Sequence, residues 1–388
     1  MDGPRAIMDS MIGRRDRPIL ISAPRVEPHG QVMRVTAAVD GAPLWFESAD
    51  VRLGPSIEAF ASTLLLMSQH VGRTLVLEGE VSETWRNNVA DLLPIWQRWW
   101  GYKIKQPVCD TRRDSSPPRN GTALMFSGGV DSFYSLLEGP HPDFLVSVHG
   151  FDVELGDRER ASALEEALRD AANEQGCTPI LIRTNCREHP AAGKSRLWER
   201  AHGGALAGIG HLLSDRISRL VVSSSYSNPV KSSWGSTPQT DSLFSSDGFT
   251  VTHFGGDWQR EDRVGAIAGN PLVRKHLRVC WENKAPVGNC SRCEKCVITM
   301  MHLAEHGALD EFDRFDSMSV LADRIEKLPL VHRELKVMSR IAARGLLEKR
   351  AAKALDTLLR RSRRATPLFS MRSRFQTMID RHLNLETI

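Results

Sequence analysis

The sequence predicts an α/β fold: a doubly wound parallel sheet, preceded by a small α+β domain and followed by a helical tail. Three observations carry this. From residue 122 onward, short apolar runs alternate with amphipathic helical stretches, the signature of strands covered on both faces by helices. A Ser-Gly-Gly-Val-Asp-Ser segment stands between the first of these runs and the helix after it. Four cysteines crowd into residues 280–296, a spacing that reads as a metal site.

Composition sets the outer bounds. The chain has 388 residues, 41% hydrophobic and 25% charged, which excludes a disordered, collagen-like or disulfide-scaffold protein. The length suggests two or three domains. No apolar run approaches the roughly 20 residues of a membrane helix. Residues 1–20 lack the apolar core of a secretory signal, so a cytoplasmic location and no membrane partner are expected. Seven cysteines, an odd number, argue against a disulfide framework. Of 51 Lys and Arg and 47 Asp and Glu, residues 331–388 hold 14 and 5, a local excess of +9 on a chain otherwise at −5.

Residues 1–17 read as a flexible polar arm. Residues 18–104 read as the small α+β domain. Apolar runs at 19–23, 32–39 and 44–47 predict strands, with Asp40-Gly41 as a hairpin turn. Helices are expected over 57–67 and, capped by Ser82, over 82–100, with a strand at 74–78 between them. Residues 105–121 form a Pro-, Ser- and Arg-rich linker. The main domain, 122–316, follows with strands at 123–126, 144–148, 179–183 and 220–223, and helices from 132, 158 and 201. The glycine-rich stretch 202–210 has no nucleotide-loop spacing and reads as a helix packed closely on the sheet. Residues 226–258, rich in Ser, Thr and Gly with scattered aromatics, read as a long functional loop. Residues 317–388 form a basic helical region.

Residues 127–132 carry the chemistry. Gly128 and Gly129 let the backbone turn tightly and approach a ligand. The helix that follows offers its positive N-terminal end to an anion. Asp131 suits such a site only with a divalent cation between it and phosphate, which points to Mg²⁺. Neither a G-x-x-x-x-G-K-[ST] loop nor a G-x-G-x-x-G turn after a strand is present. Ser127, Gly128, Gly129, Val130, Asp131 and Ser132 resemble the PP-loop of the ATP pyrophosphatase superfamily. That resemblance implies a HUP-like doubly wound fold, bound ATP and Mg²⁺, and cleavage of ATP to AMP and pyrophosphate.

Cys280, Cys290, Cys293 and Cys296 form a C-x9-C-x2-C-x2-C set. Four thiolates select zinc, usually in a closed structural site, and Lys284, Arg292 and Lys295 would offset the charge. An iron–sulfur cluster is the alternative. A PP-loop followed by this cysteine set is similar to the 7-cyano-7-deazaguanine synthase group, over roughly 121–303. The resemblance implies an ATP-dependent ligase that activates a carboxylate for attack by ammonia or an amine, forming an amide or nitrile. It departs from the group at residues 149–152, His-Gly-Phe-Asp, and at 234–241, so another small-molecule or nucleobase-like acceptor is expected. A sulfur transferase acting on a nucleobase, tRNA or small molecule is the second reading. An ATP-binding regulatory or assembly protein is the third.

Further candidates are placed by position. Asp152, after the second strand, is expected near the nucleotide, and Arg263 near pyrophosphate. Lys231 is expected to join Asp131 and Ser132 in catalysis. Asp241 and Lys194 are candidate substrate contacts. The basic tail is read as a solvated face or an oligomer contact, homodimer included, with nucleic acid the less favoured partner.

Overall fold

The computed structural model describes residues 17–112, 120–192, 197–227, 233–285, 287–331 and 334–365. The predicted arm (apart from Arg17), residues 113–119 of the linker, Lys194, Lys231 and residues 366–388 lie outside them. The chain divides into two compact units: Met1–Ser127 with Asp131–Gln259, and Gly128–Val130 with Arg260–Ile388.

The first unit is built on one mixed sheet. Its strands are β1 (Ile19–Ile21), β2 (Arg25–His29), β3 (Val32–Val39), β4 (Ala42–Ser48), β5 (Leu75–Ser82), β6 (Val108–Arg112), β7 (Gly121–Met125), β8 (Phe144–His149), β9 (Thr178–Thr184), β10 (Ile217–Ser223) and β11 (Thr250–Phe254). They lie in the order β11-β10-β7-β8-β9-β4-β3-β1-β5-β6, with β2 added beside β3. The strands β11 to β9 along this path are parallel. So are β1, β5 and β6. The β3–β4 hairpin turns at Asp40 and Gly41, both at positive φ, as its sequence predicts.

Two expectations meet a different arrangement. Residues 18–104 do not build a sheet of their own: β4 pairs antiparallel with β9, Phe46 facing Thr184. Residues 108–112, expected inside a linker, form β6 beside β5. The reason is the cost of an open sheet edge, whose unpaired backbone groups seek partners. Side chains hold the β4–β9 seam. The Thr184 hydroxyl donates to the Trp45 carbonyl at 2.7 Å, and the Trp45 N–H donates to Asn185 Oδ1 at 3.0 Å. Glu47, 2% exposed, accepts from Arg34 of β3 at 2.8 Å and from Arg183 of β9 at 2.9 Å. One apolar core runs from Ile19 to Val251 across the seam.

Helix α1 (Ile57–Val71) is capped by Ser56 and buries every residue from Ile57 to Gln69. Helix α2 (Glu83–Trp100) is capped by Ser82. Helices α3 (Val130–Glu138) and α4 (Arg158–Gln175) follow β7 and β8. Helix α5 (Trp198–Leu212) contains the glycine-rich stretch, and its partner is chiefly α1. A Cβ on Gly204 or Gly208 would meet the Ser62 or Ala59 carbonyl of α1 at 2.3 or 2.7 Å. Those glycines let two buried helices touch backbone to backbone.

In the second unit, α6 (Arg260–Ile267) and α7 (Pro271–His276) precede the cysteine segment. Helices α8 (Glu294–Glu305), α9 (Met318–Glu326), α10 (Leu335–Arg344) and α11 (residues 349–365) follow it. Val297, Met300, Met301, Leu321, Ile325, Met338, Ile341, Leu355 and Leu358 are all buried here. Among the described residues, no helix is long and apolar enough to cross a membrane.

Candidate functional site

Strand β7 ends in buried apolar residues, Ala123, Leu124 and Met125, with Phe126 continuing its pairing to the Val146 carbonyl at 2.7 Å. The chain then turns at Gly128, φ 70°, and enters α3 at Val130. A Cβ on Gly128 would lie 3.7 Å from the nearest atom, so glycine is required there by conformation rather than by space. Ser132, 4% exposed, turns its hydroxyl back to the loop and accepts from the Ser127 N–H at 3.3 Å. The two serine hydroxyls are 3.3 Å apart. Asp131 sits in the first turn of α3, partly exposed. The Gly128 carbonyl accepts from the Arg278 N–H at 2.8 Å, two residues before Cys280.

The neighbours of β7 are β8 on one side and β10 on the other. From β7 the sheet is laid down first on one side, as β8 and β9, and then on the other, as β10 and β11; in open α/β sheets such a reversal of strand order leaves a crevice at the carboxyl ends of the central strands. Asp152 is exposed in the loop after β8 and attracts His202 electrostatically. Burial pushes His202 below the ordinary histidine range, opposed by the Trp198 carbonyl 3.1 Å from its Nδ1 and by Asp152.

His202 belongs to a run of rings that sequence reading did not assemble. Phe151 and Trp198 have centroids 4.9 Å apart, Trp198 and His202 6.4 Å, His202 and Trp234 5.5 Å, Trp234 and Tyr226 5.8 Å. The Arg187 guanidinium lies 5.0 Å from the Trp198 centroid and donates to the Phe151 carbonyl at 2.6 Å. These residues come from segments after the carboxyl ends of β8, β9 and β10. The scattered aromatics of 226–258 were the available signal; their partners on α5 and after β8 were not legible.

Asp241 is placed differently from its expected substrate role. It is 1% exposed and orders its own loop. It accepts from Ser236 Oγ at 2.6 Å, from the Thr237 N–H at 3.1 Å and from Thr240 Oγ1 at 3.3 Å. Burial pushes its carboxyl up to about 7 despite these hydrogen bonds. His253 Nε2 lies 3.4 Å from Oδ2. Arg263, on α6, is 1% exposed within the second unit.

The cysteine set does converge. The four sulfurs of Cys280, Cys290, Cys293 and Cys296 all lie within 4.8 Å of one another, and Cys290 Sγ is 3.9 Å from Cys296 Sγ. A tetrahedral ion with bonds of about 2.3 Å to sulfur needs edges of about 3.8 Å, so the residues present fit one metal ion. An iron–sulfur cluster spreads its thiolates over several irons and needs them further apart. The knuckle is built locally. Asn289 Oδ1 accepts from the Val279 and Cys280 N–H groups at 2.8 and 3.2 Å, and its amide donates to the Leu277 carbonyl at 2.8 Å. The Cys293 N–H donates to Cys290 Sγ at 3.3 Å. Cys293 stands at the N-cap position of α8 without a side-chain cap bond, and hydrogen bonding from Cys296 pulls its thiol down to about 6 against burial. Of the cations expected to offset the site, Lys284 pairs with Glu282, while Arg292 and Lys295 are exposed.

Outside this set, burial raises the thiols of Cys109, Cys177 and Cys186, the last to about 12. None of the three is an activated thiolate. Comparison with family models, curated proteins and solved structures found no match to this chain.

Proposed function

We propose that the chain is a PP-loop ATP pyrophosphatase of the kind that adenylates a carboxylate and then forms an amide, related to the 7-cyano-7-deazaguanine synthase group but acting on another acceptor. The observation that carries this reading is the 127–132 segment. It forms a strand–turn–helix after β7, in a sheet whose β7 to β11 strands run 5-4-1-2-3, the order of doubly wound nucleotide-binding folds. The phosphates of ATP lie against the start of α3, where the helix end favours anions. Asp131 would hold Mg²⁺, which supplies charge neutralisation on the phosphates. The four cysteines would hold zinc, which ties the 280–296 knuckle together.

In this reading the acceptor carboxylate oxygen attacks the α-phosphorus and pyrophosphate leaves. Ammonia or an amine then attacks the acyl carbon, AMP leaves with the bridging oxygen, and the nitrogen loses a proton. The ring run from Phe151 to Tyr226 favours a planar, nucleobase-like acceptor, since π faces stack on one another. The raised thiols of Cys109, Cys177 and Cys186 weigh against a sulfur carrier.

The test is product analysis with α- and γ-labelled ATP, Mg²⁺, ammonia and pooled metabolites, comparing wild type with Asp131→Asn. AMP and pyrophosphate from wild type alone are expected. ADP and phosphate dependent on Asp131 would overturn the bond assignment. Tight ATP binding with no turnover on any acceptor would favour a regulatory protein.

A further inference from the structure

We propose that helix α11 is a docking surface for the phosphate backbone of double-stranded DNA. This is independent of the reading above. Residues 334–365 hold 10 Lys and Arg against 3 Asp and Glu. Some of these cations are used within the unit. Arg340 pairs with Glu261, Arg344 with Glu305, and Arg350 with Asp323. Arg361 reaches the Leu328 carbonyl and Arg363 donates to Ser339.

Lys349, Lys353, Arg360 and Arg364 are different. All four are exposed, and among the described residues no carboxylate is paired with them. At about 100° per residue they fall within an arc of about 60° on α11. Asp356 and Thr357 border the same arc, and Thr357 Oγ1 accepts from Arg360 at 3.3 Å. The opposite side is apolar and already used: Ala351, Ala354, Leu355, Leu358 and Leu359 are buried. Ser362, also buried, accepts from the Val331 N–H at 3.0 Å.

That division selects the partner. An interfacial membrane helix needs a free apolar face, and α11 has none to offer. A single-strand binder stacks bases on aromatic rings, and the described part of α11 carries none. What remains is a rigid row of cations facing a regular row of anions. From Lys349 to Arg364 the helix runs about 22 Å, a length of duplex DNA that carries about 13 phosphates. The major groove of B-form DNA is about 12 Å wide and admits a helix between its two phosphate rims, whereas that of A-form RNA is too narrow.

The experiment uses the full chain and a fluorescein-labelled 20-base-pair DNA duplex, read by anisotropy from 50 to 200 mM salt. Four phosphate contacts predict a slope of about −3.6 in log K against log salt, a loss of about 150-fold across that range. The variant K353E/R360E/R364E should weaken binding more than tenfold at 50 mM salt and flatten the slope. Its melting temperature should match wild type, because the three side chains are exposed; K353Q/R360Q/R364Q serves if reversal disturbs folding. No binding at 50 mM salt overturns the proposal. So does binding that survives both variants, or tighter binding to an RNA duplex or to vesicles of phosphatidylserine and phosphatidylcholine.

Discussion

Gly203 offers a test in which even the sign of the effect is informative. It lies inside α5, where glycine normally weakens a helix by about 0.5–1 kcal/mol relative to alanine. Gly203→Ala would therefore stabilise the protein if the position were open. In the structure it is closed. A Cβ at Gly203 would lie 2.1 Å from the Gly235 carbonyl oxygen, 3.0 Å from its carbon and 3.2 Å from Asp241 Oδ1. Ordinary contact begins at 3.4 Å, so about 1.3 Å must be found. The obstacle is backbone, which cannot rotate away as a side chain can. Overpacking of this kind costs about 1–3 kcal/mol. Taking about 2 kcal/mol, the melting temperature falls by about 4–8 °C in a unit of this size. The loop that must move carries Trp234 and Ser236, so tryptophan emission should shift as well. Gly156→Ala is the control, because nothing lies within 4 Å of its Cβ and its φ is ordinary. Thermal melts and urea titrations of both variants and wild type decide the matter. A Gly203→Ala protein as stable as wild type, or more so, would refute the close approach of α5 to the 234–241 loop.

Three further outcomes follow from the same geometry. Glu47→Ala removes the carboxylate shared by Arg34 and Arg183 across the β4–β9 seam; Arg183 is 49% and Arg34 16% exposed, so water reaches both guanidinium groups and the loss in a urea titration should be about 1–2 kcal/mol. If the four thiols hold zinc, atomic absorption should find about one ion per wild-type chain and well below one in Cys296→Ser, and chelator treatment of wild type should lower its melting temperature. The carboxyl of Asp241 is raised by burial, so between pH 4 and about 7 the folded chain keeps a proton that the unfolded chain has released. Stability from this group therefore falls as pH rises through that window and levels off above it. Asp241→Asn should give a flatter profile in melts from pH 4 to 8.

Local chemistry was legible wherever neighbours in sequence are neighbours in space. The Asp40-Gly41 hairpin, the Ser82 cap, the strand–turn–helix at 127–132 and the converging cysteines all rest on contacts within about 20 residues. The β2 and β11 strands were missed because their runs are short and polar: only their pairing with β3 and β10 makes them strands. Asp241 read as a loop carboxylate open to substrate, but the Ser236–Thr240 turn folds around it.

Sequence alone carried an α/β chain, a Gly-Gly turn between a strand and a helix, and four closely spaced thiols. Those features need only local backbone freedom and ligand spacing. Tertiary structure alone decided that the N-terminal strands join the main sheet, because β4 and β9 are 130 residues apart and an edge strand takes whichever partner the fold brings to it. It also decided which rings of Phe151, Trp198, His202, Trp234 and Tyr226 meet, since their contacts cross three loops. And it decided that the cations of α11 face outward, because the opposite, apolar side was the one that packing could bury.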